Sequence, residues 1–171
     1  ICGRMDLGLI TDCESYGAVS SENGSYVGGI AGLTGAVVRN SYAKCTLSGK
    51  KYVGGIVGSG IAEKASGSAS TVAGCYSVVD VTGCEQYKGA ISGGDAGDFL
   101  ENYYVSETLA GINRQGYAGR AEPISYDQLT AAANLPERMK QFTLRFVADG
   151  KVVLERGFAY GASFPQSDIP E

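Results

Sequence analysis

The stretch YVGGIAG, Tyr26 to Gly32, returns almost letter for letter as YVGGIVG, Tyr52 to Gly58, and in altered form as YKGAISG, Tyr87 to Gly93. A fragment, ICG, Ile1 to Gly3, opens the chain. Self-similarity at a period of roughly 20 to 50 residues signals stacked repeats, so this heptad governs how the rest is read. Aligning SYGAVSSENGSYVGGIAG (Ser15 to Gly32) with SYAKCTLSGKKYVGGIVG (Ser41 to Gly58) needs no gap and gives a shift of 26. CYSVVDVTGCEQYKGAISG, Cys75 to Gly93, is a third unit, longer by one residue. A last partial unit, NYYVS at Asn102 to Ser106, matches NSYAK at Asn40 to Lys44.

Within each unit the residues after the first Tyr alternate. Gly17, Val19 and Ser21 correspond to Ala43, Cys45 and Leu47 and to Ser77, Val79 and Val81, while Lys44, Thr46, Asp80 and Thr82 fall between them. That is the period-2 pattern of a strand with one buried face. The Gly pairs at 28/29 and 54/55 interrupt the alternation and predict a bend, because Gly accepts positive φ or close backbone approach. Each unit therefore reads as strand, corner, short strand and turn, stacked at about 4.8 Å per layer. Between Gly58 and Tyr76 lie 17 residues where the preceding repeat has nine, and the surplus, within Gly60 to Thr71, reads as a surface loop.

The composition divides the chain. Of 26 Gly, 20 precede residue 111, whereas all four Pro follow residue 122. Residues 1–110 are expected to form the repeat domain, 111–141 a connector with short helices, and 142–171 a β-hairpin. Ser125 with Gln128 spells a capping box ahead of Leu129 and Ala132 or Ala133. Asn134 with Glu137 offers a second cap, with Pro136 in its first turn. FTLRFV, Phe142 to Val147, and VVLERGFAY, Val152 to Tyr160, flank a turn at residues 148–151. A three-residue loop pairing Phe146 with Val152 and Leu144 with Leu154 keeps apolar residues on one face. It is preferred over a two-residue AspGly loop that sets Leu144 against Glu155. A short stack exposes two apolar ends, and the segment from Ser125 to Tyr160 is expected to cover the C-terminal one.

The SY and CY positions followed about ten residues later by YVGGIxG resemble the GLUG-motif repeats of bacterial surface proteins, over residues 1 to 106. The resemblance implies parallel β-solenoid rungs in a large secreted or wall-attached protein, such as an adhesin or an immunoglobulin A peptidase. The third unit departs from the motif, with Lys88 and Ala90 replacing Val and Gly. The tail from residue 142 to 171 is similar to the first half of the β-grasp Listeria-Bacteroides repeats, related to internalin B repeats.

The formal charge of -4 carries no Lys/Arg cluster, so neither nucleic acid nor anionic lipid is expected as a partner. No apolar run approaches the roughly 18 residues of a membrane helix. The chain opens inside a repeat without Met and reads as a piece of a longer protein. Five Cys with no His and no CxxC exclude the usual zinc constellations; the Cys read as small buried hydrophobes, with one bridge, for instance Cys75 to Cys84, as the alternative.

Neither GxGxxG nor GxxxxGK[ST] occurs, so the glycines read as structural. GGDAGDFL, Gly93 to Leu100, lacks one Gly of the calcium-binding nonapeptide core, and a single imperfect copy makes Asp95 and Asp98 weak candidates for calcium. The acids Asp12, Glu14, Asp80, Asp95, Asp98 and Glu101 are scattered, and no nucleophile motif appears. No catalytic, cofactor or metal residue is expected. The Tyr columns, Tyr16/Tyr42/Tyr76/Tyr104 and Tyr26/Tyr52/Tyr87, remain: they stack on one another or offer rings to sugars, and their burial decides which.

The expectation is therefore a mainly β chain. It comprises a short parallel β-solenoid of about four rungs, a helical connector and a C-terminal hairpin. It would serve as a non-enzymatic, extracellular module that presents neighbouring domains of the same polypeptide or adheres to host glycan or protein. The alternative is an accessory region of a secreted peptidase or glycan-degrading enzyme.

Overall fold

The structure, a computed structural model, describes residues 2–62, 69–115 and 119–170. Residues 63–68 of the expected surface loop lie outside that set. The chain divides into two compact units, Ile1–Ile124 and Ser125–Glu171. It is mainly β, with one short helix.

In the first unit, β1 (Cys2–Met5) and β2 (Leu9–Thr11) open the chain. The next layer holds β3 (Glu14–Ser20), β4 (Ser25–Gly28), β5 (Ala31–Thr34) and β6 (Val37–Arg39). The following one holds β7 (Tyr42–Ser48), β8 (Lys51–Gly54), β9 (Val57–Gly60) and β10 (Thr71–Ala73). β11 (Tyr76–Thr82), β12 (Gln86–Gly89) and β13 (Asp98–Leu100) form a third layer, and β14 (Asn102–Val105) and β15 (Ala121–Pro123) come last. Strands at equivalent places pair in parallel, giving four sheets in the orders β15-β14-β11-β7-β3, β12-β8-β4, β1-β5-β9 and β13-β10-β6-β2.

Stacking places like on like. Ile30, Ile56 and Ile91 are each fully buried one above another, and Ile10, Val38, Val72 and Phe99 fill a second column. Ala43, Cys45 and Leu47 point inward from β7 while Thr46 faces out, as the alternation predicts. Each fully buried branched side chain contributes about 1.5–3 kcal/mol.

The paired glycines act by close approach rather than by positive φ, which none of Gly28, Gly29, Gly54 and Gly55 adopts. A Cβ on Gly28 would run into the Ala31 carbonyl oxygen, one on Gly29 into that of Gly55, and one on Gly32 into that of Tyr26. The two arms of the heptad thus lie backbone against backbone. The corner also joins the ladder between layers: Gly29 N–H donates to Gly55 C=O at 3.1 Å, and Ile30 N–H to Ile56 C=O at 2.9 Å. In the altered third copy the same ladder continues, with Gly55 N–H donating to Gly89 C=O at 3.2 Å. The replacements Lys88 and Ala90 leave the corner in place.

One register differs from the gap-free alignment. β4 pairs with β8 at the expected shift, Val27 opposite Val53, but β3 pairs with β7 so that Gly17 meets Cys45 and Val19 meets Leu47. The cause is a corner of four residues, 21–24, after β3 where β7 is followed by only two, 49–50. A slip of two keeps the same side chains on the inward face, and in this outer layer they are only partly covered, with Val19 half-buried and Gly17 exposed. The layers also run past Gly111, where the sequence repeat ends: Ile112 bridges to Ser92, and β15 pairs with β14. Pro123 sits in β15, at the edge of its sheet, where a missing N–H is tolerated.

In the second unit, α1 (Tyr126–Ala131) has the expected capping box: the Ser125 side chain accepts from Gln128 N–H and the Gln128 side chain accepts from Ser125 N–H. The second expected helix is a single 3-10 turn, Glu137–Met139, with Pro136 before it rather than inside it, and Asn134 stands at φ +59°. The hairpin pairs β16 (Gln141–Ala148) with β17 (Lys151–Ala159) through neither expected register. Asp149 and Gly150, both at positive φ, make the two-residue turn, and a bulge past Phe146 then sets Phe146 opposite Leu154 and Leu144 opposite Arg156. The tight turn is the one AspGly prefers, and the bulge restores the apolar face that this turn would have broken. Phe146 and Phe158 both pack against Phe164, at 5.4 and 5.9 Å between centroids.

The Gly29→Ala variant is expected to lose about 3 kcal/mol or more in urea unfolding, because its Cβ would meet the Gly55 carbonyl, Ala43 and Cys45. Gly3→Ala, where a Cβ would meet nothing within 4 Å, is expected to stay within about 0.5 kcal/mol. Equal effects from the two would refute the close-approach account.

Candidate functional site

The Tyr that opens each heptad takes a backbone conformation that L residues avoid. Tyr26, Tyr52 and Tyr87 have φ of +65°, +56° and +59°. Left-handed geometry costs a residue with a Cβ about 1–2 kcal/mol, and here it recurs at one place in three successive layers. It turns the three rings out of their strands and over one another: Tyr26 and Tyr52 stack at 4.8 Å and 7°, Tyr52 and Tyr87 at 4.5 Å and 13°. Ring stacking of this kind is worth about 0.5–1.5 kcal/mol a pair.

A second ladder runs along the sheet containing β3. Tyr42 and Tyr76 stack at 5.9 Å, Tyr76 and Tyr103 at 5.1 Å. Its membership differs from the expected column at both ends. Tyr16 lies opposite Lys44 because of the two-residue slip, leaving Glu14 in the Tyr column, and the Tyr16 hydroxyl donates to Glu14 Oε2 at 2.7 Å. At the other end Tyr103 meets Tyr76, whereas Tyr104 points inward and is buried. Burial raises the Tyr104 hydroxyl pKa, opposed by a hydrogen bond to the Gly111 backbone.

Both ladders are half-exposed at their edges and covered on their inner faces by neighbouring rings. A sugar stacks on a ring face, so the internal rings Tyr52 and Tyr76, each with a ring on both sides, offer only edges. Tyr26, 40% exposed, borders a cleft with Cys2, Gly3, Val19 and Ser25. Tyr87, 37% exposed, borders an open cleft of about 300 Å³ with Gln86, Asn113 and Arg114. Asn113 and Arg114 were absent from every sequence-based candidate set. They form a two-residue turn between Ile112 and Gln115, which exchange both backbone hydrogen bonds, with φ of +32° and +68°. An AsnGly pair would have signalled such a turn; AsnArg does not.

The other candidates do not converge. Asp95 and Asp98 are exposed on either side of Gly97, and among the described residues no group of three or more His, Cys, Asp or Glu could hold a metal ion. Asp12 and Glu101 do share a corner position, one taken in left-handed geometry by Asp12, Asn40, Gly74 and Glu101. Three layers separate the two acids, about 14 Å at the strand spacing, too far for a carboxylate pair to act on one bond. Among the described residues no helix is long and apolar enough to cross a membrane.

All five Cys are free thiols, so the Cys75–Cys84 bridge is not formed. Cys13, Ser41 and Cys75 stack at one corner, and each donates to the carbonyl two residues earlier: Cys13 to Thr11 at 3.3 Å, Ser41 to Arg39 at 2.9 Å, Cys75 to Ala73 at 3.4 Å. Asn102 continues the position, accepting from Cys75 N–H at 3.1 Å and donating to the carbonyls of Val72 and Arg120. Cys here does the work of a corner Ser. Burial pushes the Cys75 thiol up to about 12 and the Cys45 thiol to about 11, so neither is a nucleophile at neutral pH.

A thiol whose folded pKa is raised stabilises the fold below its ordinary value of 9.0, and that contribution is lost as pH rises from 9.0 toward about 12. Cys75→Ser is expected to fold, since Ser41 fills the same position, and to show a shallower loss of thermal stability between about pH 9 and about pH 12. An unchanged alkaline slope would show that Cys75 is not its source. Tyr52→Ala, with two ring partners, is expected to cost about 1–3 kcal/mol, roughly twice the cost of Tyr26→Ala, with one. Chemical denaturation of the two variants checks the ratio.

In comparisons with protein-family models, curated proteins and solved structures, no match to this chain was found.

Proposed function

We propose that the first unit is a short parallel β-solenoid of GLUG type and that the chain is a non-enzymatic repeat module of a large bacterial cell-surface or secreted protein. In this reading it acts as a stalk or adhesin, spacing neighbouring domains and binding host or matrix glycan or protein. One observation carries the reading. Strands at equivalent positions of successive repeats pair in parallel with identical residues in register, Val27 on Val53 and Gly28 on Gly54, so each layer templates the next. Such an array extends by adding units without redesigning a core, which suits a spacer. The half-exposed Tyr ladders support the adhesive part, because their rings are partly open to solvent, Tyr26 and Tyr87 most of all. The step from fold to role rests on the family resemblance.

A glycan array and a pull-down against host extracellular proteins are expected to return a binder, and antibody labelling of intact cells of the source bacterium is expected to find the protein outside. Surface labelling with blank binding assays would reduce the role to a spacer. Detection only in the cytosol would overturn the proposal.

A further inference from the structure

The Tyr26–Tyr52–Tyr87 ladder ends at Tyr87, whose one face lies on Tyr52. In the layer beyond, no strand of the described residues continues the sheet β4-β8-β12, and the Asn113–Arg114 turn borders the cleft. The turn is anchored to the layer below, with Asn113 N–H donating to the Ser92 carbonyl at 3.1 Å. Holding Arg114 at φ +68° costs about 1–2 kcal/mol that Gly would not incur. Arg114 is exposed and among the described residues makes no ion pair.

We propose that Tyr87, Gln86, Asn113 and Arg114 form a binding site for a carboxylated sugar, a hexuronic acid unit of an acidic glycan. This names a ligand class for the adhesive part of the proposed function and rests on that reading for the source of the sugar. The apolar face of a pyranose stacks on the Tyr87 ring, 37% exposed, where it borders the cleft. The Arg114 guanidinium takes the carboxylate, for which its fork is shaped, and the amides of Gln86 and Asn113 serve the hydroxyls. One Arg matches one carboxylate charge, whereas a phosphate or sulfated ligand carrying more charge would find no second cation among the described lining residues. The cleft, about 300 Å³, is at the small end of the range for ligand sites and suits one sugar unit.

The test is saturation-transfer NMR and calorimetry on the whole chain with methyl β-glucuronide, against methyl β-glucoside as its neutral counterpart. The glucuronide is expected to bind at least about tenfold more tightly, the range a charged hydrogen bond commands. Arg114→Gly relieves the left-handed strain and so keeps the fold while removing the guanidinium; it is expected to abolish that preference. Tyr87→Phe is expected to retain binding. Glucuronide binding unchanged in Arg114→Gly, a preference for the glucoside, or no glucuronide binding would each overturn the site. If the glycan array or pull-down still returns a binder, the site alone is lost and the adhesin reading stands. If those are blank while the glucuronide binds through Arg114, the site stands without a host source.

Discussion

The first unit depends on an absence of side chains. At Gly28, Gly29 and Gly32, and again at Gly54, Gly55 and Gly58, a Cβ would collide with backbone atoms of the same or the next layer. With hydrogen alone at those positions, the two arms of each heptad meet backbone to backbone and the corner amides reach the carbonyls of the layer beyond. Those amides would otherwise be buried donors without partners, a cost of about 1–3 kcal/mol each. The Ile column beside them is buried because the glycines have brought the layers that close.

Around that constraint the same local solution is repeated until it stabilises itself. A Tyr in left-handed geometry is unfavourable alone, and three in register offset part of the cost by stacking. Cys and Ser exchange at a corner because the position asks only for a small donor that can reach a carbonyl two residues back. Asn102 is the larger version, tying three backbone groups of adjacent strands. At Tyr87, the last ring of that ladder among the described residues, the Asn113–Arg114 turn borders the same cleft.

Much of this was legible in the sequence, for a physical reason: a column of identical residues in a stack is a column in an alignment. Val27 over Val53, the inward set Ala43, Cys45 and Leu47, and the Ser125 capping box all follow from local patterns. Errors came where chain length and layer position part company. The longer corner after β3 moved Tyr16 out of the ladder, and a one-residue offset turned Tyr104 inward and put Tyr103 in its place. In the hairpin a local preference and a face preference conflicted, and a bulge satisfied both.

The sequence by itself determined the period, the glycines, the inward columns and the mainly β character, because each depends on neighbours in the chain or on the same position one repeat away. Tertiary structure decided that the glycines serve close approach while the tyrosines take the positive φ, since both follow from how two layers meet. It also decided which Tyr rings join each ladder, and it set Arg114, 27 positions along the chain from Tyr87, on the same cleft. No periodicity encodes that last pairing, because it lies where the repeat has ended.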